Sequence, residues 1–248
     1  MKDNHEGTRK VAIVTGGTKG IGKAIAMRLL ERGYFVYVNY AGDHSAAESA
    51  KSEFATVSVN FLISRADQSD KTAFSTYISD IKCKENQIDC IVANAGATVR
   101  KALPDITDSE WDKVMEISVG SHFRLIRDLY EKIGDGARII FIGSTLGIHP
   151  HATSLAYGVS KAAVHALARN LVKEFAGHGI TVNAIAPGFV DTEWQKTKPS
   201  EIRNNIIRKT ASERFGEPEE VVAAVDFCID NAFVNGSVIE VDGGYSFR

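Results

Sequence analysis

Val11-Ala-Ile-Val-Thr15-Gly-Gly-Thr-Lys-Gly-Ile-Gly22 is the stretch on which the fold turns. Four apolar residues run straight into a glycine-rich turn, and an apolar-periodic segment follows through Leu30. A short, continuously apolar run is what a strand covered on both faces requires. The glycines let the backbone turn sharply and approach a ligand closely. The helix behind them offers free N–H groups and the positive end of its dipole. Strand, glycine turn and helix in that order predict a phosphate-binding crossover, with Gly16, Thr18, Lys19, Gly20, Ile21 and Gly22 around the phosphates. The spacing Gly16-x-x-x-Gly20-x-Gly22 differs from the general G-x-G-x-x-G fingerprint.

Outward from this stretch, apolar runs at 34–39, 57–63, 88–93, 138–143, 180–186 and 237–241 alternate with segments long enough for crossover helices. Ser45-Ala-Ala-Glu48 and Thr107-Asp-Ser-Glu110 read as capping boxes, and Pro218 suits a first helical turn. The pattern predicts one α/β domain over 1–248: a doubly wound, Rossmann-like, seven-stranded parallel sheet with helices on both faces. A polar tail at 1–9 precedes it. The polar excursion at 192–212 reads either as a surface segment or as a substrate lid.

A net charge of −2 and the lack of a basic run argue against nucleic acid as a partner. No apolar run approaches the roughly 20 residues that span a bilayer, so no membrane segment is expected. The opening residues lack the apolar centre of a secretion signal, and Cys83, Cys90 and Cys228 have neither metal nor redox spacing. The expectation is a cytoplasmic protein. His149-Pro-His151 lacks a third ligand at matching spacing, so the reading is two pocket-shaping histidines and no metal site.

Further motifs follow in order: Asn94-Ala-Gly96 after strand four, Ser144 after strand five, Tyr157-Gly-Val-Ser-Lys161 opening a helix, Pro187-Gly188 after strand six and Val241-Asp-Gly-Gly244 after the last strand. With the glycine turn, this series resembles the short-chain dehydrogenase/reductase family over nearly the whole chain. Val38-Asn-Tyr-Ala-Gly42 and Arg214-Phe-Gly-Glu-Pro-Glu-Glu220 resemble its 3-oxoacyl-thioester reductase branch most closely. The resemblance implies an oxidoreductase with a nicotinamide cofactor. It places Asp67 at the adenine, Asn94 and Gly96 along the ribose, and Pro187, Gly188, Val190 and Thr192 beside the cofactor. It also implies a homotetramer, with 221–241 at one interface.

An NAD-preferring site usually has a carboxylate about 20 positions beyond the glycine turn. Here the second strand ends in Asn39-Tyr40, Asp43 comes later, and Lys19 is placed to meet a 2′-phosphate. NADP(H) is therefore the expected cofactor. Tyr157 and Lys161 are four apart and share a helix face. A cation beside the phenol favours the phenolate, which makes Tyr157 a usable acid–base group, while the Ser144 hydroxyl would hold the substrate oxygen. Lys161 would also bond the nicotinamide ribose.

Met115-Glu-Ile-Ser-Val-Gly120 departs from the family pattern: Ser118 stands where an asparagine of the proton relay is usual. Serine still donates and accepts, so Ser118 enters as a relay candidate, with a water making up the length. The expected reaction is NADPH-dependent reduction of a ketone, foremost a 3-oxoacyl thioester. Free ketones, steroids, sugars and coenzyme A thioesters are alternatives, and a non-catalytic NADP(H)-binding sensor or scaffold is a separate one. An acyl carrier protein would need a basic dock. The aligned docking positions fall near Asp135 and His178, although Lys132, Arg138 and Arg169 are close in sequence.

Overall fold

The computed structural model describes residues 9–247, so all of the tail expected at 1–9 except Arg9 lies outside the described residues. Seven strands form one parallel sheet: β1 (Val11–Val14), β2 (Phe35–Tyr40), β3 (Phe61–Arg65), β4 (Ile88–Ala93), β5 (Ile133–Ile142), β6 (Thr181–Pro187) and β7 (Val238–Val241). Their order is β3-β2-β1-β4-β5-β6-β7. On one face lie α1 (Gly20–Glu31), α2 (His44–Ala55) and α9 (Pro218–Asp230). On the other lie α3 (Lys71–Lys84), α5 (Ser121–Leu129) and α6 (Leu155–Glu174). Three further helices complete the set: α4 (Asp108–Met115), α7 (Glu193–Lys196) and α8 (Ser200–Lys209).

The alternation of strand side chains builds both cores from one run of residues. In β1, Val11 and Ile13 pack toward α3 and α5, and Ala12 and Val14 toward α1. All four are essentially buried, which is why the run reads as unbroken apolar sequence. Each fully buried aliphatic or aromatic side chain contributes about 1.5–3 kcal/mol.

Three local expectations are corrected. The strand placed at 57–63 begins only at Phe61, because α2 ends in a turn (Val57 N–H to Phe54 O, 2.9 Å) that leaves Val57 and Val59 exposed. The strand placed at 138–143 starts at Ile133, with a register shift against β4 where Gly136 takes a φ of 76°. The helix read as capped by Ser45 is capped by Asp43, whose carboxylate accepts from Ala46 N–H at 3.0 Å. The box at Thr107 forms as read, and α9 starts with Pro218 in its first turn behind a Glu217–Glu220 box. Among the described residues no helix is long and apolar enough to cross a membrane.

The strand order reverses direction between β1 and β4, the switch point at which open α/β sheets bind ligands. Thr15, wholly buried, ties the two strand ends together: its Oγ1 accepts from the N–H groups of Asn94 (2.9 Å) and Ala95 (3.0 Å).

Candidate active site

A cleft of about 760 Å³ runs along the carboxyl edge of the sheet from the glycine turn to the start of α6. Every catalytic or cofactor-binding residue expected at the site lines it except Ser118, while His149 and His151, read as pocket-shaping, do not line it.

At the phosphate end, Gly16 and Gly20 hold left-handed φ values of 61° and 52°. A side chain at position 22 would clash with the Asn94 amide and lie 2.5 Å from Gly16 O. Two buried or half-buried amides brace the turn. Asn94 Nδ2 donates to Thr15 O at 2.9 Å, and Asn39 Oδ1 accepts from Gly16 N–H at 3.3 Å. Asn39 is 1% exposed and its Nδ2 donates to Ala66 O at 2.8 Å. The sequence reading put Asn39 at the strand tip, where no carboxylate stands; the structure keeps it in the cleft wall and shows that its amide also braces the turn. Lys19, the residue before α1, makes no capping bond, so the first N–H groups of the helix are left to a ligand.

Lys19 Nζ is bonded to Asp43 Oδ2 at 2.6 Å, with both side chains about half exposed. The pair was not foreseen, since the two residues are separated by all of α1 and β2. Lys19 and the Ala46 N–H hold the Asp43 carboxyl below the usual range. Tyr40 bonds His44 at 3.0 Å, and Asp67 Oδ1 accepts from Ser69 N–H and Oγ, both at 2.8 Å, which makes it a turn residue as well as part of the cleft wall.

At the other end, Tyr157, Lys161 and His165 occupy successive turns of α6. Lys161 is 3% exposed; its Nζ donates to Ile142 O at 2.7 Å and lies 5.6 Å from the Tyr157 ring centre. Burial pushes its ammonium down to about 8. Burial raises the Tyr157 phenol, opposed by the Ser144 hydroxyl and the Arg100 guanidinium. The Trp194 ring meets the Tyr157 ring edge-on at 6.4 Å, which puts Trp194 in the pocket wall.

His165 was missed in the sequence. Its Nε2 accepts from Ser144 N–H at 3.4 Å, and its ring fills the space that a side chain on Gly143 would need. Burial and the Lys161 cation push it down to about 4, so it acts as a neutral brace for the Ser144 loop. The signal available was its spacing, one further turn beyond Tyr157 and Lys161. Buried His122 is pushed down to about 3 by burial and the same cation.

Ser118 lies in a π-turn, Glu116–Gly120, between α4 and α5, and its Oγ accepts from Ala97 N–H at 3.2 Å. A Cβ on Gly96 would lie 3.2 Å from Lys161 Nζ and 3.7 Å from Ser118 Oγ. Ser118 is therefore fully buried beside Gly96, on the same side of its backbone as Lys161, and does not line the cleft. Of the two loop histidines, His149 pairs with Glu240 at 3.1 Å and His151 packs against Phe189 and Tyr245.

The depressed Lys161 pKa sets a stability window. Between about pH 8 and 10.5 the unfolded chain holds a proton that the folded ligand-free protein has released, so stability rises with pH there. Burying the charge costs most below pH 8. Lys161→Met is expected to stabilise the ligand-free protein by about 2 kcal/mol more at pH 7 than at pH 9.5. Urea unfolding of both proteins at the two pH values checks this; equal differences would mean that Lys161 is not strained by burial.

A family model described as short chain dehydrogenase matches residues 10–203. The chain is 34% identical to a 2-dehydro-3-deoxy-D-gluconate 5-dehydrogenase of Pseudoalteromonas atlantica, covering 96% of each protein. It is 31% identical to the 3-oxoacyl-[acyl-carrier-protein] reductase FabG of Staphylococcus aureus, covering 95% of this chain and 97% of that one. A short-chain dehydrogenase/reductase from Serratia marcescens superposes with a TM-score of 0.89 at 30% identity, over 96% of this chain and 98% of that one. A short chain dehydrogenase from Burkholderia cenocepacia in complex with NADP gives a TM-score of 0.89 at 27% identity, over 95% and 97%. Sequence and fold thus match over nearly the whole of these chains, and this chain belongs to the short-chain dehydrogenase/reductase family of oxidoreductases.

Proposed function

We propose that the chain, acting as one domain, is an NADP(H)-dependent reductase that converts a ketone to a secondary alcohol. The observation that carries this reading is the meeting of Ser144, Tyr157 and Lys161 at one end of a cleft whose other end is an uncapped helix N-terminus. The cofactor fits the residues present: a glycine-lined turn too tight for side chains, and a helix N-terminus with no side-chain cap. Lys161 and the backbone at Asn94 and Gly96 would hold the ribose, and Asp67 would face the adenine. Bound NADPH would supply the hydride that forms the new C–H bond.

The protein's part is the proton. Ser144 Oγ holds the carbonyl oxygen, and Tyr157 Oη gives it a proton as the C=O bond becomes C–O–H. The Lys161 ammonium stabilises the phenolate left behind, against the burial that would otherwise forbid it. With one proton on Ile142 O, Lys161 keeps two for the ribose hydroxyls and for reprotonation from solvent. In this reading Ser118 positions Gly96 and Ala97, and water does the relaying. A sensor or scaffold without chemistry would gain nothing from a buried Lys161 beneath Tyr157.

Lys19 supports NADP(H), as does the NADP held by the Burkholderia relative. Asp43 competes with a 2′-phosphate for that lysine. Asp43→Ser keeps a helix-capping oxygen and frees Lys19, so the KM for NADPH is expected to fall by up to about fivefold with that for NADH unchanged. Equal gains for both cofactors would refute the role of Lys19.

For the substrate, the FabG relatives support a 3-oxoacyl thioester and the gluconate-type relative supports a polar ketone. Carrier-protein docking has less support, because Asp135 and His178 bond each other and Arg138 folds onto the carbonyls of Ile229 and Gly136. Exposed Phe227 and Phe233, on and just beyond α9, support self-association and hence the homotetramer. The exposed thiol Cys83 suits a reducing cytoplasm. The deciding experiment is cofactor oxidation with NADPH and NADH against 3-oxoacyl thioesters and simple ketones. NADPH-linked turnover is expected; tight NADPH binding without turnover on any ketone would favour the binding-only alternative.

A further inference from the structure

Near the glycine turn the cations have carboxylate partners: cleft-lining Lys19 has Asp43, and Lys23, on α1, has Glu53. At the catalytic end the arrangement differs. Arg100, on the loop that follows β4, lines the cleft with an exposed side chain, and no carboxylate pairs with it among the described residues. Lys198, just past α7 and three residues beyond the cleft-lining Gln195, is half-buried and likewise without a carboxylate partner among them. The acids nearby are taken: Asp191 pairs with Arg203 at 3.1 Å and Glu193 with Lys196 at 2.8 Å. Burial, then Arg100, then Arg203 lower the Lys198 ammonium, so Arg100 and Lys198 are near enough to repel each other.

Convergent cations without a counter-charge cost free energy unless a ligand supplies the anion. Arg100 also acts electrostatically on Tyr157, which puts the anion near the reacting carbonyl and far from the phosphate end. The cleft wall also contains Gln195, whose Oε1 is buried without a hydrogen-bond partner among the described residues. It is an acceptor waiting for a donor.

Resting on the ketone-reductase reading, we propose that the substrate is a small hydroxylated ketone with an anionic oxygen group, a carboxylate or a phosphate ester, a few bonds from the reacting carbonyl. Arg100 and Lys198 bind the anion and Gln195 accepts from a hydroxyl. Arg suits either group because its planar fork bonds two oxygens at once. A long uncharged acyl chain leaves all three residues unsatisfied. They are specificity determinants: they choose the substrate, while Ser144, Tyr157 and Lys161 reduce it.

The test uses the full chain with NADPH and paired substrates: a short hydroxylated keto acid against its methyl ester, a ketose phosphate against the free ketose, and a neutral 3-oxoacyl N-acetylcysteamine thioester. One anionic member is expected to exceed its neutral partner by at least about tenfold in kcat/KM, mostly through KM, and which pair does so separates carboxylate from phosphate. Arg100→Met is expected to collapse that ratio, and Lys198→Met to reduce it. Equal use of charged and neutral partners, or an Arg100→Met loss equal on both, overturns the proposal. Binding gives an independent readout, by isothermal titration of each anion and its neutral partner into the NADP-loaded protein. Anion-selective binding lost in Arg100→Met, with no turnover anywhere, would keep the anion site and sink the reductase reading; turnover of the neutral thioester alone would do the reverse.

Discussion

Tyr157→Phe is expected to bind NADPH as the wild type does and to lose about 10²- to 10⁴-fold in kcat on whichever ketone the protein reduces. Only the hydroxyl is removed. The ring that packs against Trp194 stays, so the cleft keeps its shape and the loss belongs to the proton. Lys161 would remain buried beneath a phenyl ring that cannot use its charge, and adding Lys161→Met should cost much less than it does in the wild type, because the two act as a unit. The check is single-turnover kinetics with the NADPH Kd measured in parallel. Near-wild-type kcat in Tyr157→Phe would mean that another acid serves the carbonyl.

The second large effect concerns the turn. Gly22→Ala pushes a methyl group into the Asn94 amide and Gly16 O, and neither is the loose end of a long side chain. Asn94 Nδ2 is bonded to Thr15 O and Gly16 O, so displacing it loosens the loop that shapes the cofactor cleft. Overpacking of this kind costs about 1–3 kcal/mol. If the cost falls on the cofactor-binding geometry, NADPH affinity drops by about 10- to 100-fold. Calorimetric titration separates that from a global loss, which would appear as a lower Tm at unchanged affinity. An alanine tolerated in both measurements would show that the turn has slack which its contacts do not suggest.

The parts of the fold that were legible in the sequence are those buried on both sides. β1 reads as a continuous apolar run, and β4 as one broken only by Asp89, because helices cover each face. β3 was misplaced because it is an edge strand: Leu62 is exposed, so its pattern no longer stands out from the valines before it. The first half of β5 hid behind Gly134-Asp-Gly136, a sequence with the marks of a turn. In the site, Tyr157 and Lys161 were readable from spacing on one helix. Arg100 and Gln195 were not, since loops from distant parts of the chain bring them into one cleft wall and no spacing rule connects them. The bond between Lys19 and Asp43 was hidden for the same reason.

Thr15 bonds groups 79 and 80 residues further along the chain. During synthesis, β1 and the glycine turn leave the ribosome long before β4 exists. At about 5–20 residues per second, the β4-facing edge of β1 stays unpaired for roughly 4–16 s. A bare apolar strand edge is the feature most prone to pair with a neighbouring chain. Non-local pairing of this kind also slows folding, because the intervening loop must be ordered before the contact repays it. The closure that makes a cofactor cleft therefore makes the newborn chain vulnerable, and its yield in a cell should depend more on chaperones and translation speed than the stability of the finished sheet would suggest.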